Sequence, residues 1–263
     1  MSDIALYTIC NDNYIEPCCV MIYSFLLNNR WFDGDIVILH DNGSRCSLSD
    51  YSKSWLSSLY NKVVFEEVDA TKYDKFIENA SKFSTTANSS LLFYKIEVLK
   101  KNRYKKKLFL DSDILVNKSI KELFYNDKNG VLVVEDAFKP LTNYFNSGVM
   151  SIPMDVIPDD LYEHVITIGE TIDESFFKNE FSDKGYFFDQ DILNEVMPKK
   201  VIIGREYNTT PNKCDVNYFD LNKIKIIHFY GDAKPWDETS HSNPSHLLYY
   251  KYHYMFTHRL KTK

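Results

Sequence analysis

No run of this chain is long and apolar enough to cross a membrane as a helix, and Met1–Ile9 lacks the layout of a secretory leader. Both absences predict a cytoplasmic protein. Excess positive charge is missing too: 31 lysines and arginines face 37 aspartates and glutamates, and the net charge of −6 argues against nucleic-acid partners. The five cysteines (Cys10, Cys18, Cys19, Cys46 and Cys214) have no metal-ligand spacing and leave one over if paired, so reduced thiols are expected. The loop after the first apolar run carries neither the G-x-G-x-x-G of a dinucleotide site nor the G-x-x-x-x-G-K of a P-loop. Internal repeats, low-complexity segments and linkers are also lacking, which predicts one domain over residues 1–263.

What is present is an alternation. Apolar runs at Ile4–Ile9, Ile36–His40 and Val63–Val68 read as strands, separated by helical patterns at Cys18–Leu27 and Leu48–Leu59. Tyr73–Thr86 reads as an irregular connection and Leu91–Leu99 as a helix feeding a central strand. Ser119–Phe124, Asp155–Gly169, Ser175–Phe181 and Asp189–Val196 read as helices. Gly130–Glu135, Asn146–Ile152, Val201–Ile203 and Ile224–Phe229 read as strands. The pattern predicts an α/β fold with a mostly parallel sheet.

The stretch Lys107–Val116, KLFLDSDILV, is the most informative. Leu108–Leu110 reads as a buried strand, and strand alternation would put Asp111 and Asp113 on one side with Ser112 turned away. Two such carboxylates repel, and a divalent cation bound through hard oxygens relieves the repulsion. The carboxyl end of a strand is also where open α/β sheets bind ligands.

Four more stretches carry polar groups to the ends of apolar runs. After the first strand, Asn11, Asp12 and Tyr14 could receive a nucleotide, with Tyr14 as stacking face and Asn11 or Asp12 on the base edge; from composition alone a polar turn with Asx caps is favoured. In Tyr144–Ile152, Asn146 and Ser147 precede Gly148, which permits close approach of a ligand or of backbone. In Phe188–Val196, Asp189, Gln190 and Asp191 open a helix, and helix capping explains them best when taken alone. Ile226–Trp236, IIHFYGDAKPW, delivers His228 to a strand end, where a satisfied core histidine is the commoner case. Yet Gly231 and Lys234 ahead of Pro235–Trp236 suit a backbone N–H and an ammonium on a diphosphate. His228 with Asp111 and Asp113 would supply one nitrogen and two oxygens, a set that suits Mn²⁺.

The ordered motifs NDNY, FLDSDILV, FNSGV, FDQDILN and HFYGDAKPW resemble the family 8 glycosyltransferases, which include glycogenin, bacterial lipooligosaccharide galactosyl- and glucosyltransferases and plant galactinol synthases. The resemblance runs from Ile4 to about Trp236. It implies a single GT-A-type, Rossmann-like domain. It also implies that Ile9, Asn11 and Tyr14 hold uridine and that Lys95 reaches the donor sugar or diphosphate. Asp111, Asp113 and His228 would bind Mn²⁺, or Mg²⁺ in its place, with Ser112 beside them. Asn146 and Ser147 would line the donor-sugar site, Asp189 would bond sugar hydroxyls, and Gln190 would lie near the anomeric carbon. Gly231 and Lys234 would hold the diphosphate. One departure is Phe93, where bacterial relatives often carry an arginine.

The implied reaction is transfer of a hexose, glucose slightly before galactose, from a UDP-sugar to a hydroxyl with retention of anomeric configuration. The acceptor could be a glycan, a lipid-linked sugar or a protein. Competing readings are a non-catalytic UDP-sugar-binding protein and a metal-dependent nucleotide-sugar hydrolase. Two basic stretches remain. The six basic residues of Lys100–Lys107 read as a solvated helix end and turn. Leu247–Lys263 reads as a terminal helix packed through Leu248, Tyr252, Met255 and Phe256, with peripheral contact to an anionic membrane as the minority reading. Oligomeric state is not legible.

Overall fold

Alternate residues of the first strand face different cores. β1 (Ile4–Ile9) sends Ile4 and Leu6 into one buried cluster and Ala5 and Tyr7 into another, as expected of a strand covered on both faces. The structure, a computed structural model, describes residues 2–43, 46–81, 90–126, 128–137, 139, 142–171, 189–211, 220–231, 234–237 and 244–261. β2 (Asp35–His40), β3 (Val63–Glu67), β4 (Lys106–Leu110), β6 (Val131–Glu135), β7 (Phe145–Pro153) and β8 (Lys200–Ile203) join β1 in a seven-stranded sheet of order β3-β2-β1-β4-β7-β6-β8. Only β7 runs against its neighbours; the other pairs are parallel. β5 (Ile114–Val116) and β9 (Ile226–His228) form a separate antiparallel pair.

One face of the sheet is covered by α1 (Ile15–Asn28), α2 (Asp50–Leu59), the short α4 (Lys121–Phe124) and α7 (Pro244–Lys261). The other is covered by α3 (Asp74–Ser81), a 3-10 segment at Ser90–Leu99, α5 (Leu161–Thr171) and α6 (Asp189–Val196). α7 buries Tyr249, Tyr252 and Phe256, with Leu248 and Met255 half-buried, as the packed terminal helix requires. Among the described residues, no helix is long and apolar enough to cross a membrane. Cys10, Cys18, Cys19 and Cys46 are buried free thiols.

Several expectations need correcting. Residues 74–81 are helical, not irregular, because Tyr73 and Phe76 have a core to enter; α3 meets α5 where Gly169 has no Cβ to strike the Phe76 ring. Residues 90–99 wind as 3-10 turns, with Phe93 through Leu99 all buried, so tertiary burial overrides the α pattern. Phe93 packs on Phe76. α5 starts at Leu161, six residues late, behind a turn closed by Leu161 N–H to the Pro158 carbonyl. The expected helix at 175–181 lies outside the described residues, as do residues 82–89, Phe188, Cys214, Asp232, Ala233 and the last two residues of the tail.

The solvated reading of Lys100–Lys107 fails at its end, where β4 begins. Lys107 is fully buried, and its ammonium donates to the carbonyls of Val98 (3.0 Å) and Lys100 (2.5 Å). Burial pushes its pKa down to about 8, with Glu66 and Glu97 opposing. Between about 8 and the ordinary 10.5 the unfolded chain binds the proton and the folded chain does not, so this group makes stability rise with pH there. The parent should therefore gain on the order of 1–3 kcal/mol over Lys107→Met across that window in denaturant unfolding. A pH-independent difference would refute the shift.

Candidate active site

The chain runs from β1 outward to β3, then returns to place β4 on β1's other side. This reversal of strand order opens a crevice at the carboxyl ends of β1 and β4. A cleft of about 640 Å³ sits there, and every residue to which the family resemblance assigned a role lines it, whereas Asp12, Gly148 and Asp191 do not. Ile9, Asn11 and Tyr14 come from the end of β1 and the following loop, and Lys95 from the 3-10 segment. Asp111, Ser112 and Asp113 follow β4, Asn146 and Ser147 belong to β7, and Asp189 and Gln190 open α6. His228 ends β9, with Gly231 and Lys234 beyond it.

Strand alternation is not what brings the aspartates together. β4 stops at Leu110, and Asp111–Asp113 is the turn between the two sheets. Asp111 N–H is held by the Gly148 carbonyl (3.0 Å), and the Asp113 carbonyl by Phe229 N–H (3.0 Å). Pairing of Ile114 with His228 then sets the imidazole beside both carboxylates. Nε2 of His228 lies 3.1 Å from Asp113 Oδ1 and 3.7 Å from Asp111 Oδ2. One ligand atom from each of the three residues falls within 4.8 Å of the others. Two hard oxygens and an imidazole at this spacing fit a mid-row divalent cation.

Two lysines flank this trio. Lys234 Nζ is 2.5 Å from Asp113 Oδ2 and donates to the Phe229 carbonyl (2.7 Å). Lys95 Nζ is 3.1 Å from Asp111 Oδ1, 3.1 Å from Asp189 Oδ2 and 3.0 Å from Ser147 Oγ. Burial disfavours the Lys95 charge, but Asp111 and Asp189 outweigh it and raise the pKa. Burial likewise opposes ionisation of Asp113, yet His228 and Lys234 hold its pKa well below the usual range. For Asp189 burial wins over Lys95, and with Asp111 nearby the pKa rises.

Gly148 makes the packing possible. A β-bulge leaves residues 147–149 out of register with β6, and the glycine backbone lies against the imidazole. A Cβ there would sit 2.3 Å from His228 Cε1 and 2.7 Å from Asp111 Oδ2. Gly148→Ala should therefore cost about 1–3 kcal/mol of stability by displacing the imidazole, and any divalent cation held by the trio should bind about tenfold or more weakly. Isothermal titration and thermal melts check it, and unchanged cation affinity would contradict the geometry.

The first turn of α6 is more than a cap. Asp189, Gln190 and Asp191 are all buried. Gln190 Oε1 accepts from Asn146 Nδ2 and Ser147 N–H, both at 3.0 Å, and Nε2 donates to Asp136 (2.9 Å). Asp191 accepts from the Tyr144 hydroxyl and lies 3.9 Å from the buried Lys139 ammonium. On the first loop, Asn11 Oδ1 caps the turn by accepting Tyr14 N–H (3.0 Å) while Asn11 also lines the cleft. Asp12 turns elsewhere and accepts from Ser49 and Ser52 at the start of α2.

Sequence reasoning missed Asp136, Asn208, Tyr230 and Asp237. Asp136 had a usable signal, since it follows the apolar strand Val131–Glu135 much as Asp111 follows Leu108–Leu110. Asn208 had none. Its Nδ2 donates to Asn146 Oδ1 (2.8 Å) and its Oδ1 faces His228 Nδ1 (2.9 Å), contacts that exist only in three dimensions.

Residues 5–240 match the model of the glycosyl transferase family 8. Glycogenin-1 of Saccharomyces cerevisiae is 28% identical over 212 residues, covering 75% of this chain and 34% of that protein. The chain thus spans about a third of the length of that relative. The lipopolysaccharide 1,2-glucosyltransferase of Escherichia coli K12 is 25% identical over 257 residues, covering 85% of this chain and 70% of the relative. Among solved structures, the galactosyltransferase LgtC in complex with donor and acceptor sugar analogs superposes with a TM-score of 0.66 at 17% identity, over 95% of each chain. This likeness shows the shared GT-A fold.

Proposed function

Because the chain belongs to glycosyltransferase family 8, we propose that it transfers a hexose from a UDP-sugar to a hydroxyl acceptor, with retention of anomeric configuration. The observation that carries this reading is the convergence of Asp111, Asp113 and His228 between Lys95 and Lys234 in one cleft. Those three residues would hold Mn²⁺, which when bound supplies electrophilic stabilisation of a diphosphate. Tyr14 offers a ring face for uracil beside Trp236. Lys234 stabilises charge building on the departing diphosphate, the source of most rate gain in such a site. Lys95, held by two carboxylates and a hydroxyl, fixes Asp111 and Asp189 in place. Asp189 and Gln190 line the donor-sugar end with Asn146 and Ser147.

Asp189, the carboxylate at the donor-sugar end, is bound by Lys95 and Ser147 and is not free to act as nucleophile. Our reading is therefore a same-face displacement. The acceptor oxygen bonds to the anomeric carbon as its bond to the diphosphate breaks, and the leaving phosphate takes the acceptor's proton. A covalent sugar trapped on Asp189 or Gln190 would sink this. Glucose is favoured over galactose as donor, and α7 is assigned to packing within a single domain.

The test is UDP release with Mn²⁺ against a panel of UDP-sugars, with and without acceptor mixtures. Acceptor-dependent turnover of one sugar, lost in EDTA and restored by Mn²⁺, is expected. Tight UDP binding with no turnover would leave a binding protein instead, and acceptor-independent release a hydrolase. Flotation of the protein with anionic vesicles would reopen a membrane role for α7.

A further inference from the structure

A chain of buried amides leads from the backbone of β7 to the imidazole of His228, and each link has one allowed direction. Gly148 N–H, which can only donate, reaches Asn146 Oδ1 at 3.0 Å. Asn146 Nδ2 faces Gln190 Oε1 at 3.0 Å and the Asp136 carboxylate at 3.4 Å, both acceptors, so the orientation of Asn146 is fixed from both ends. Asn208 reaches the same Asn146 oxygen at 2.8 Å and must therefore present Nδ2 to it. That leaves Asn208 Oδ1 facing His228 Nδ1 at 2.9 Å. An amide oxygen only accepts, so Nδ1 carries the hydrogen. Nε2, which faces Asp111 and Asp113, is then the nitrogen whose lone pair can meet a cation.

We propose that Asn208 is a positioning residue that fixes His228 as the Nδ1–H tautomer and so presents Nε2 to the divalent cation shared with Asp111 and Asp113. The role rests on the metal-site reading above. The backbone supports it. Thr209 N–H donates to the Ile226 carbonyl (3.0 Å) and His228 N–H to the Thr209 carbonyl (2.9 Å), so residue 209 is fastened to β9 and holds its neighbour Asn208 beside it. Asn208 is buried, and the missing Cβ of Gly148 gives the ring its space. A partner of this kind orients a ligating histidine and raises its basicity.

The test uses the full chain, labelled with ¹⁵N-histidine and bound to Mg²⁺ and UDP, with His228 assigned by its absence in His228→Gln. Long-range ¹H–¹⁵N spectra of the parent should show a protonated Nδ1 and an unprotonated Nε2. In Asn208→Ala the pattern should become mixed or reversed, and Mn²⁺ affinity with UDP should fall about 10- to 100-fold by electron paramagnetic resonance. Asn208→Asp keeps an acceptor and should retain the Nδ1–H pattern. A protonated Nε2 in the parent overturns the proposal, and this reading needs no variant to fold. Unchanged spectra and Mn²⁺ affinity in Asn208→Ala overturn it as well. A parent that binds no Mn²⁺ with UDP overturns the metal site itself, whereas an unaffected Asn208→Ala removes only this residue's role.

Discussion

Asp113→Ala should lower turnover by about 10²-fold or more, the usual loss when a preorganised electrostatic stabiliser is removed. The geometry explains why this aspartate carries so much. Its carboxylate touches His228 Nε2 at 3.1 Å and Lys234 Nζ at 2.5 Å, so it joins the imidazole to the ammonium across the cleft. Without it, one oxygen donor is gone and Lys234 loses its anchor. Asp113→Asn, which keeps the size but not the charge, should fall nearly as far. Steady-state UDP release at saturating Mn²⁺ measures both. The stability loss should be smaller than that of the lysine variant below, because Lys234 is partly exposed and can turn to water. Turnover within tenfold of the parent would show that the trio is not the working site.

Lys95→Met should destabilise the fold by about 3–5 kcal/mol at pH 7, because it leaves the buried Asp189 and the half-buried Asp111 without their cation. Asp189 is the group that suffers most, being buried and already raised in pKa. Without Lys95, the influences that raise it, burial and Asp111, act unopposed by the ammonium. A carboxyl whose folded pKa lies above its unfolded value binds more protons in the folded state. The deficit of the variant should therefore shrink as pH falls through that raised value toward the ordinary range near 4. Lys95→Met/Asp189→Asn should recover most of the loss at neutral pH, and a double-mutant cycle gives the coupling. Denaturant unfolding between pH 4 and 8 is the measurement. A loss below about 1 kcal/mol with no pH dependence would mean that the carboxylates find another cation. Activity should fall with stability, since Asp111 would lose one of the contacts that hold it in the cleft.

These contacts show what a linear reading reaches. The alternation of Ile4–Ile9, Ile36–His40 and Val63–Val68 with helical stretches led correctly to the mostly parallel sheet, because strand period and apolar runs are local properties. Asp111, Asp113 and His228 were nameable for the same reason: each stands where an apolar run ends, and a charge there needs a partner. Local pattern misled where burial decides. Asp189–Asp191 looked like a helix cap, yet the same residues are buried in the polar network beneath the cleft. Lys107 looked solvated, yet the start of β4 carries it into the core. Tyr73–Thr86 looked irregular, yet α3 forms once Phe76 has Gly169 to pack on.

The sequence by itself determined the sheet, the apolar strands and the kinds of side chain that reach their ends, since period and residue chemistry are carried locally along the chain. Only the tertiary structure decided which of those ends meet. The turn at Asp111–Asp113 leaves one sheet for another, and β5 pairs with β9 across more than a hundred residues to set His228 beside the aspartates. Asn208 faces that imidazole because its neighbour Thr209 is hydrogen-bonded to β9. Hydrogen-bond direction and close approach at Gly148 depend on distances between segments remote in sequence, and such distances exist only once the chain has folded.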